Sequence, residues 1–175
     1  EMSGGMAQRV MIAIGLACEA ELLIADEPTT ALDVTIQAEI LDLLLDLCES
    51  EKTGLILITH DLAVVSQITD KTAVMYAGKI VEIGDTDTII GDPKHPYTQG
   101  LINALPGSDH LGGRLNQIPG MMPSLMSIPP GCSFHPRCPF RMDKCTQHVP
   151  ELTYYKTFNR AVACYLMDRD SRGSI

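Results

Sequence analysis

Three ionisable side chains that could take part in catalysis follow two short apolar segments. Asp26 and Glu27 come directly after residues 22–25, and His60 comes two residues after residues 55–58. The carboxyl ends of neighbouring parallel strands meet at one edge of an open α/β sheet, where ligands bind. A carboxylate there can hold Mg²⁺ through water, and a second carboxylate or a histidine can orient an attacking water. The same residues can also be polar strand ends that meet solvent, and the pattern alone leaves both interpretations open.

The elements that must position these groups are two strands and the helix between them. Continuous apolar residues are typical of strands covered on both faces, so residues 22–25 and 55–58 predict buried parallel strands. Between them apolar residues recur at helical spacing, at Ile36, Ile40, Leu43, Leu44 and Leu47. Asp33 or Thr35 can cap this helix. The order strand, helix, strand predicts a βαβ unit with a parallel sheet.

A second candidate for nucleotide contact lies at the start of the chain. Ser3, Gly4 and Gly5 precede residues 6–18, which are apolar nearly all round and predict a buried helix with Ser3 as its N-cap. Two glycines let a phosphate approach the backbone, and a helix N-terminus presents oriented N–H groups. Any turn before a capped helix looks the same, so this signal is weak by itself.

The rest of the chain predicts a strand pair, a short helix and an irregular stretch. Residues 72–76 and 79–83 are joined at Ala77 and Gly78, which favours a hairpin. A short helix is expected over residues 97–104, after Pro96. Residues 106–131 are punctuated by proline and glycine with little periodicity, which indicates a linker or extended wrap.

Four segments in order over the first 61 residues resemble the motifs of ABC-type ATPases. Residues 2–6, followed by Gln8 and Arg9, resemble the ABC signature, and residues 22–28 resemble the Walker B strand with its catalytic glutamate. Residues 31–33 resemble the D-loop, and residues 59–61 resemble the switch-histidine loop. The fifth signature position is Met6, where many ABC proteins have glutamine and peptide-importer subunits commonly have methionine.

The tail narrows the resemblance to ATPase subunits of bacterial dipeptide and oligopeptide importers. Residues 95–99 (His-Pro-Tyr-Thr-Gln), the proline-rich stretch and four later cysteines are all similar to those subunits. The resemblance implies an α/β fold: the C-terminal part of an ABC-type P-loop ATPase domain, with a parallel sheet and helices, plus a small cysteine-rich C-terminal extension. It divides the chain into an ATPase part (1–91), a linker (92–131) and a four-cysteine extension (132–175).

The resemblance also implies a role for each motif residue, with ATP and Mg²⁺ as ligands. Asp26 would serve Mg²⁺, Glu27 would polarise the attacking water and His60 would contact the γ-phosphate. The signature residues would grip the γ-phosphate of a partner subunit's nucleotide, and Asp33 would couple the two sites; the signature residues are Ser3, Gly4, Gly5 and Met6. The implied partners are a second ABC ATPase subunit, two transmembrane permease subunits and, indirectly, a peptide-binding protein, at the cytoplasmic face of the inner membrane.

One departure from the family is the missing P-loop. The Gly78-Lys79 pair has Ala73 where the first glycine is required and Ile80 where serine or threonine should follow. We therefore expect a C-terminal fragment without the phosphate-cradling lobe, and one that is inactive alone.

The cysteines fall into two groups. Cys18 and Cys48 lie in apolar helical patterns and are expected to pack as small hydrophobes. Four others lie in the tail, at Cys132, Cys138, Cys145 and Cys164. Their spacing contains no Cys-x-x-Cys knuckle, and by itself it leaves iron–sulfur, zinc and free thiols open. The family resemblance favours a four-iron, four-sulfur cluster, with zinc second. His135 and His148 are runner-up ligands, and we expect them to be surface residues instead.

Composition and charge argue against a nucleic-acid-binding ATPase and a membrane-spanning chain, and they leave one rival to the transporter interpretation. Residues 1–91 contain four Lys and Arg against sixteen Asp and Glu, whereas residues 92–175 contain nine against six. The first part thus has no basic face for nucleic acid, which with the lack of heptads argues against a chromosome-maintenance ATPase. The longest apolar run, residues 10–18, is far below the ~20 residues that span a bilayer, so we expect neither a membrane-spanning segment nor a secretory signal in these 175 residues. The remaining rival is a non-catalytic iron–sulfur or zinc regulatory module with a vestigial ATPase half.

Overall fold

The computed structural model describes residues 3–17, 19–30, 32–105 and 117–170, and they form a mixed α/β structure in two compact units. The first unit comprises residues 1–61 and the second comprises residues 62–175. No helix within the described ranges is long and apolar enough to cross a membrane. The predicted boundaries at residues 91 and 131 stay predictions.

The first unit is the predicted βαβ arrangement preceded by a helix. Helix α1 (Gly4–Leu16) leads to strand β1 (Leu22–Asp26), helix α2 (Val34–Glu51) and strand β2 (Gly54–Ile58). Strands β1 and β2 pair in parallel, and Asp26 lies opposite Ile58 in the register. Asp33 caps α2, since its side chain accepts a hydrogen bond from the Ile36 amide at 3.0 Å.

The prediction that both faces of these strands are covered was wrong. Helices α1 and α2 pack on one face, where Leu23, Ala25 and Leu55 join a core built on Ile12, Ile40, Leu44 and Cys48. On the other face Leu22, Ile24, Ile56 and Ile58 are exposed. Burial therefore alternates along each strand, although the sequence is continuously apolar.

The prediction of a buried first helix was wrong as well. Ser3 caps α1 as expected, but Ile12 is its buried residue. One side of α1 meets α2, and the apolar residues elsewhere on the helix remain exposed, namely Met6, Val10, Met11 and Ile14. Cys48 is buried as predicted, whereas Cys18 falls outside the described residues.

The second unit is built on a four-stranded antiparallel sheet. After helix α3 (Leu62–Ile68), the hairpin of β3 (Lys71–Tyr76) and β4 (Lys79–Asp85) forms at the predicted position. Ala77 and Gly78 turn the chain with positive φ angles of 47° and 77°. Helices α4 (Thr86–Gly91), α5 (Pro96–Asn103) and α6 (Asp143–Gln147), strands β5 (Thr153–Tyr155) and β6 (Arg160–Val162), and helix α7 (Met167–Asp170) follow. The strand order is β3-β4-β6-β5.

A buried ion pair joins β4 to β6. Nη1 of Arg160 lies 3.1 Å from Oε1 of Glu82, and both side chains are almost fully enclosed. The Glu82 carboxylate also accepts the backbone N–H groups of Lys94 and His95, each at 2.9 Å. Removing one partner of a buried ion pair leaves the other charge buried and unpaired, which is strongly destabilising. The hydrogen bonds from the Lys94 and His95 amides to Glu82 hold the chain just before α5 against the sheet.

The described part of the predicted linker after α5 is anchored to the rest of the second unit by hydrogen bonds and packing. Residues 117–131 contain no helix or strand, and residues 106–116 lie outside the described ranges. The guanidinium of Arg137 donates to the carbonyl oxygens of Pro119 at 2.9 Å and Ile118 at 3.1 Å. A methyl group at Gly100 would lie 2.7 Å from Cγ1 of Ile118, so the absence of a side chain there makes room for Ile118.

Candidate active site

The parallel register brings the ends of β1 and β2 together. Because Asp26 pairs with Ile58, the residues after each strand leave the sheet at the same edge. The Glu27 amide continues the ladder by donating to the Ile58 carbonyl at 2.9 Å. Asp26 itself is exposed at the end of β1. The predicted convergence of Asp26, Glu27 and His60 on one edge is therefore observed.

Glu27 and His60 are in direct contact. Nδ1 of His60 lies 2.8 Å from Oε1 of Glu27, and the hydroxyl of Thr30 donates to Oε2 of Glu27 at 3.0 Å. Both carboxylate oxygens are thus engaged. Glu27 has a φ of 48°, in the left-handed region that non-glycine residues seldom adopt. The backbone at this position is therefore specialised, as is common at functional sites.

The contact shifts both groups towards their charged forms. The hydrogen bond from His60, and then that from Thr30, lowers the pKa of Glu27. The hydrogen bond to Glu27, helped by its negative charge, raises the pKa of His60. The His60 side chain is 84% exposed and that of Glu27 37%, so solvent screens the attraction and the pair contributes little to stability.

When His60 is protonated, it has a second N–H donor besides the one that faces Glu27. An ionised carboxylate only accepts hydrogen bonds, so Nδ1 of His60 carries the proton in this contact. The raised pKa favours the imidazolium, which has a second N–H at Nε2. An exposed cation with that donor, beside a carboxylate, can bind a phosphate oxygen while the carboxylate acts on a water.

The start of α1 has the helix-end geometry that was predicted, with a packing role as well. The Met6 amide donates to Oγ of Ser3 at 3.4 Å. A methyl group at Gly5 would lie 2.9 Å from Cγ2 of Ile36, and one at Gly4 would lie 3.3 Å from Cδ2 of Leu32. The two glycines therefore let α1 approach the start of α2. The Met6 side chain is exposed.

Two further residues near this edge are held by hydrogen bonds. Asp33 uses its side chain on the cap of α2. The Asp61 carboxylate accepts a hydrogen bond from the side-chain amide of Gln37 (Nε2) at 3.3 Å, which links the segment after β2 to α2. Thr30 was missed by the sequence interpretation. Its signal was a threonine three residues after Glu27 in a turn that contains Pro28, since hydroxyls in turns often bond to nearby groups of their own turn.

In the second unit, the four tail cysteines line one cavity. Its walls include His95, Phe134 and Tyr165 together with Cys132, Cys138, Cys145 and Cys164. Burial raises the pKa of the thiols of Cys132 and Cys138, and that of Cys164 to about 12. Within the described part of the chain, no three His, Cys, Asp or Glu side chains stand close enough to hold a metal ion together. The donor set has the right chemistry for a thiolate-bound metal, but the sulfurs are not arranged as ligands.

The two histidines named as runner-up ligands, His135 and His148, lie in different surroundings. His135 lines the same cavity, and its Nδ1 lies 2.9 Å from the Cys132 carbonyl oxygen, whereas His148 is exposed. His95 was not singled out for the cavity by sequence, yet it lies in its wall, almost fully buried. Burial lowers its pKa to about 4, and its Nδ1 accepts the Tyr97 amide at 3.0 Å.

Comparison with known proteins gives two family matches and many relatives. Residues 1–30 match the family model described as ABC transporter, and residues 81–145 match that described as Oligopeptide/dipeptide transporter, C-terminal region. The oligopeptide transport ATP-binding protein AppD of Bacillus subtilis (strain 168) is 52% identical over 97% of this chain and 51% of its own length.

Two other relatives agree. The dipeptide transport ATP-binding protein DppD of Escherichia coli (strain K12) is 48% identical over 100% of this chain and 54% of its own length. The oligopeptide transport ATP-binding protein OppD of Salmonella typhimurium is 53% identical over 86% of this chain and 45% of its own length. The chain thus spans about half the length of the curated relatives it matches. Over that span, it belongs to the family of ATP-binding proteins of oligopeptide and dipeptide ABC transporters.

Proposed function

We propose that this chain is part of an ATP-binding and ATP-hydrolysing subunit that powers import of dipeptides or oligopeptides across a bacterial inner membrane. The observation that carries the proposal is the Glu27–His60 contact of 2.8 Å at the shared edge of two parallel strands. It occurs in a chain about half identical to peptide-transport ATP-binding proteins. The names of those relatives give no support to a non-catalytic regulatory module.

In this proposal the edge of the sheet is one half of an ATP site. Glu27 orients and polarises the attacking water, and His60 donates from Nε2 to the γ-phosphate. Asp26 would hold Mg²⁺ through water, and the ion would supply positive charge to offset that of the phosphates. The exposure of Asp26 at the strand end supports this assignment.

The start of α1 serves a second nucleotide, bound by a partner ATPase subunit. Ser3, Gly4, Gly5 and Met6 approach its γ-phosphate with the N-terminal end of the helix. Asp33 couples the two sites from the start of α2, where Gly4 and Gly5 already lie against Leu32 and Ile36. The same small residues thus serve the packing of α1 on α2 and the approach of the phosphate.

The assembly and location follow from this role. The subunit pairs with a second ABC ATPase and acts on two transmembrane permease subunits at the cytoplasmic face of the inner membrane, and a peptide-binding protein delivers the substrate. In this proposal residues 1–91 form the ATPase part, 92–131 the linker and 132–175 the cysteine-bearing extension. The relatives named for dipeptide and oligopeptide transport support a peptide substrate.

For the extension, we keep a four-iron, four-sulfur cluster as the proposed cofactor, with zinc as the alternative. The lining of one cavity by Cys132, Cys138, Cys145 and Cys164 supports it. The observed positions of the sulfurs do not support it, because in the described residues they are too far apart to bind one metal ion together. Cluster binding would therefore require the four side chains to move inward. The thiols lie in a cavity whose described lining contains no Asp, Glu, Lys or Arg side chain, which fits a cofactor enclosed by the protein rather than exposed to solvent.

The test is ATP hydrolysis and peptide uptake by the assembled transporter with single substitutions in this chain. Glu27→Gln keeps the shape and removes the charge, so it should retain ATP binding and lower kcat by roughly 10²–10⁴-fold. His60→Ala should also lower kcat. Glu49→Gln, an exposed carboxylate on α2, is the matched control and should leave both activities unchanged. Near-normal turnover in Glu27→Gln would remove this glutamate from the catalytic role.

A further inference from the structure

The Glu27 carboxylate is held from two sides. One oxygen, Oε1, faces His60, and the other, Oε2, accepts the Thr30 hydroxyl at 3.0 Å. The two partners differ in kind, because His60 comes from the segment after β2, 33 residues away, and Thr30 comes from the same turn as Glu27. Only one of these bonds therefore depends on the long-range fold.

The turn itself aims the Thr30 hydroxyl. The Glu27 amide is tied to the Ile58 carbonyl at 2.9 Å, and the Thr30 amide donates to the Glu27 carbonyl at 3.1 Å. Pro28, which is buried, fixes φ inside this turn. The left-handed φ of Glu27 turns the chain so that the hydroxyl three residues later meets the carboxylate.

We propose that Thr30 is a positioning residue for Glu27 in ATP hydrolysis, an inference that rests on the proposed function. In that function His60 donates to phosphate, and any movement of its exposed ring towards nucleotide weakens its bond to Oε1. Thr30 then remains on Oε2 and keeps the carboxylate plane oriented. Oε1 is freed to accept a hydrogen bond from the attacking water, while its partner oxygen stays fixed.

The need for such a tether follows from exposure. A carboxylate on a flexible, partly exposed side chain samples many orientations, and catalytic groups must be held close to the productive geometry. The hydrogen bond from Thr30 also helps keep Glu27 ionised. Asp26 is next to Glu27 in the chain, and the negative charge of Asp61 also raises the pKa of His60.

The first test is steady-state hydrolysis by the assembled transporter. Thr30→Val keeps the branched shape but removes the hydroxyl, and it should lower kcat roughly five- to tenfold with KM for ATP nearly unchanged. Thr30→Ser should restore most of the loss, and Thr29→Val, in the adjacent threonine of the same turn, should behave as wild type.

The second test needs no turnover. In the 175-residue chain, the ¹³Cδ resonance of Glu27, compared at one fixed pH at which the carboxylate is ionised, should shift in Thr30→Val relative to wild type and should stay in place in Thr30→Ser and Thr29→Val. A Glu27 resonance that is unchanged in Thr30→Val would overturn the hydrogen bond. A shifted resonance with unchanged kcat would overturn the positioning role. If Glu27→Gln itself left hydrolysis intact, the proposed function would fail while the NMR result still decided the contact.

Discussion

Nδ1 of His60 lies 2.8 Å from Oε1 of Glu27, although the two residues are 33 positions apart and follow different strands. The contact depends on the parallel register, which places Asp26 opposite Ile58 and sends the next residues off the same edge. The contact raises the pKa of His60 and lowers the pKa of Glu27, so it favours the charged form of both groups.

The first prediction is that His60 titrates above pH 6.5 in the folded chain. The Glu27 carboxylate raises the pKa of His60, so Glu27→Gln should return the midpoint towards the ordinary value. The contribution of His60 to folding stability is fully present below pH 6.5 and is lost as pH rises through the pKa of His60 in the folded chain. The contribution of Glu27 is lost as pH falls through the lowered pKa of Glu27 in the folded chain. Imidazole Hε1 NMR shifts measure the midpoint, and an identical titration in Glu27→Gln would contradict the contact.

The second prediction is that Gly5 is required for the packing of α1 on α2. A methyl group there would lie 2.9 Å from Cγ2 of Ile36, so Gly5→Ala should destabilise the first unit by about 1–3 kcal/mol. Adding Ile36→Ala removes the clashing atom, and the double variant should then lose less than the two single losses together. Urea unfolding followed by far-UV circular dichroism measures these differences. Simple additivity would show that the two residues do not press on each other.

The third prediction is that the 175-residue polypeptide alone does not hydrolyse ATP. Its sequence contains no glycine-rich loop ending in Gly-Lys-Ser or Gly-Lys-Thr. Without that nest of backbone N–H groups and its lysine, the phosphates lack both binding energy and charge neutralisation. Phosphate release from Mg-ATP by the purified chain measures this. Turnover that disappears in Glu27→Gln would show the expectation to be wrong.

The fourth prediction concerns acid stability of the second unit. Burial lowers the pKa of His95 from 6.5 to about 4, so the unfolded chain binds its proton first as pH falls. Stability should therefore fall between pH 6.5 and pH 4, by roughly 3 kcal/mol at most from this residue. His95→Asn keeps a side-chain acceptor for the Tyr97 amide and removes the titration, so its stability should depend less on pH.

Tyrosine near-UV circular dichroism is the measurement for His95. All five tyrosines lie after residue 61, so the signal reports the second unit. The decisive quantity is the slope of the unfolding free energy with pH, because a cavity left by the smaller side chain lowers stability equally at every pH. Equal slopes in wild type and His95→Asn would show that His95 is protonated without cost.

The fifth prediction is that anaerobically purified chain binds about four irons and four sulfides, as a single cluster requires. Cys138 lines the shared cavity, so Cys138→Ser should lose most of the iron; Cys48 lies in the core of the first unit, so Cys48→Ser should lose none. Iron, sulfide and zinc analysis with a visible spectrum decides the matter. One zinc without sulfide would indicate a structural zinc site. Failure of anaerobic reconstitution to introduce iron would rule out the cluster.

Much of the local structure could be predicted because its causes are short-range. Ser3 was recognisable as a cap from residue type, and Asp33 was one of two candidates for the cap of α2, with Thr35. The hairpin turn at Ala77 and Gly78 followed from two flanking apolar runs. The same holds for the meeting of Asp26, Glu27 and His60, since parallel pairing of adjacent strands brings their ends together wherever it occurs. These features depend on hydrogen bonds and apolar periodicity within a few residues or one crossover.

Sequence by itself thus determined the order of elements in the first unit, the cap of its first helix and the edge where the ionisable groups collect. Only the tertiary structure decided that His60 contacts Glu27, that Glu82 and Arg160 pair across 78 residues, and that four distant cysteines line one cavity. It also decided that one face of β1 and β2 is exposed, although their apolar runs predicted cover on both. Burial and long-range pairing depend on which surfaces actually meet, and the free energy of those contacts is summed over residues that no local pattern connects.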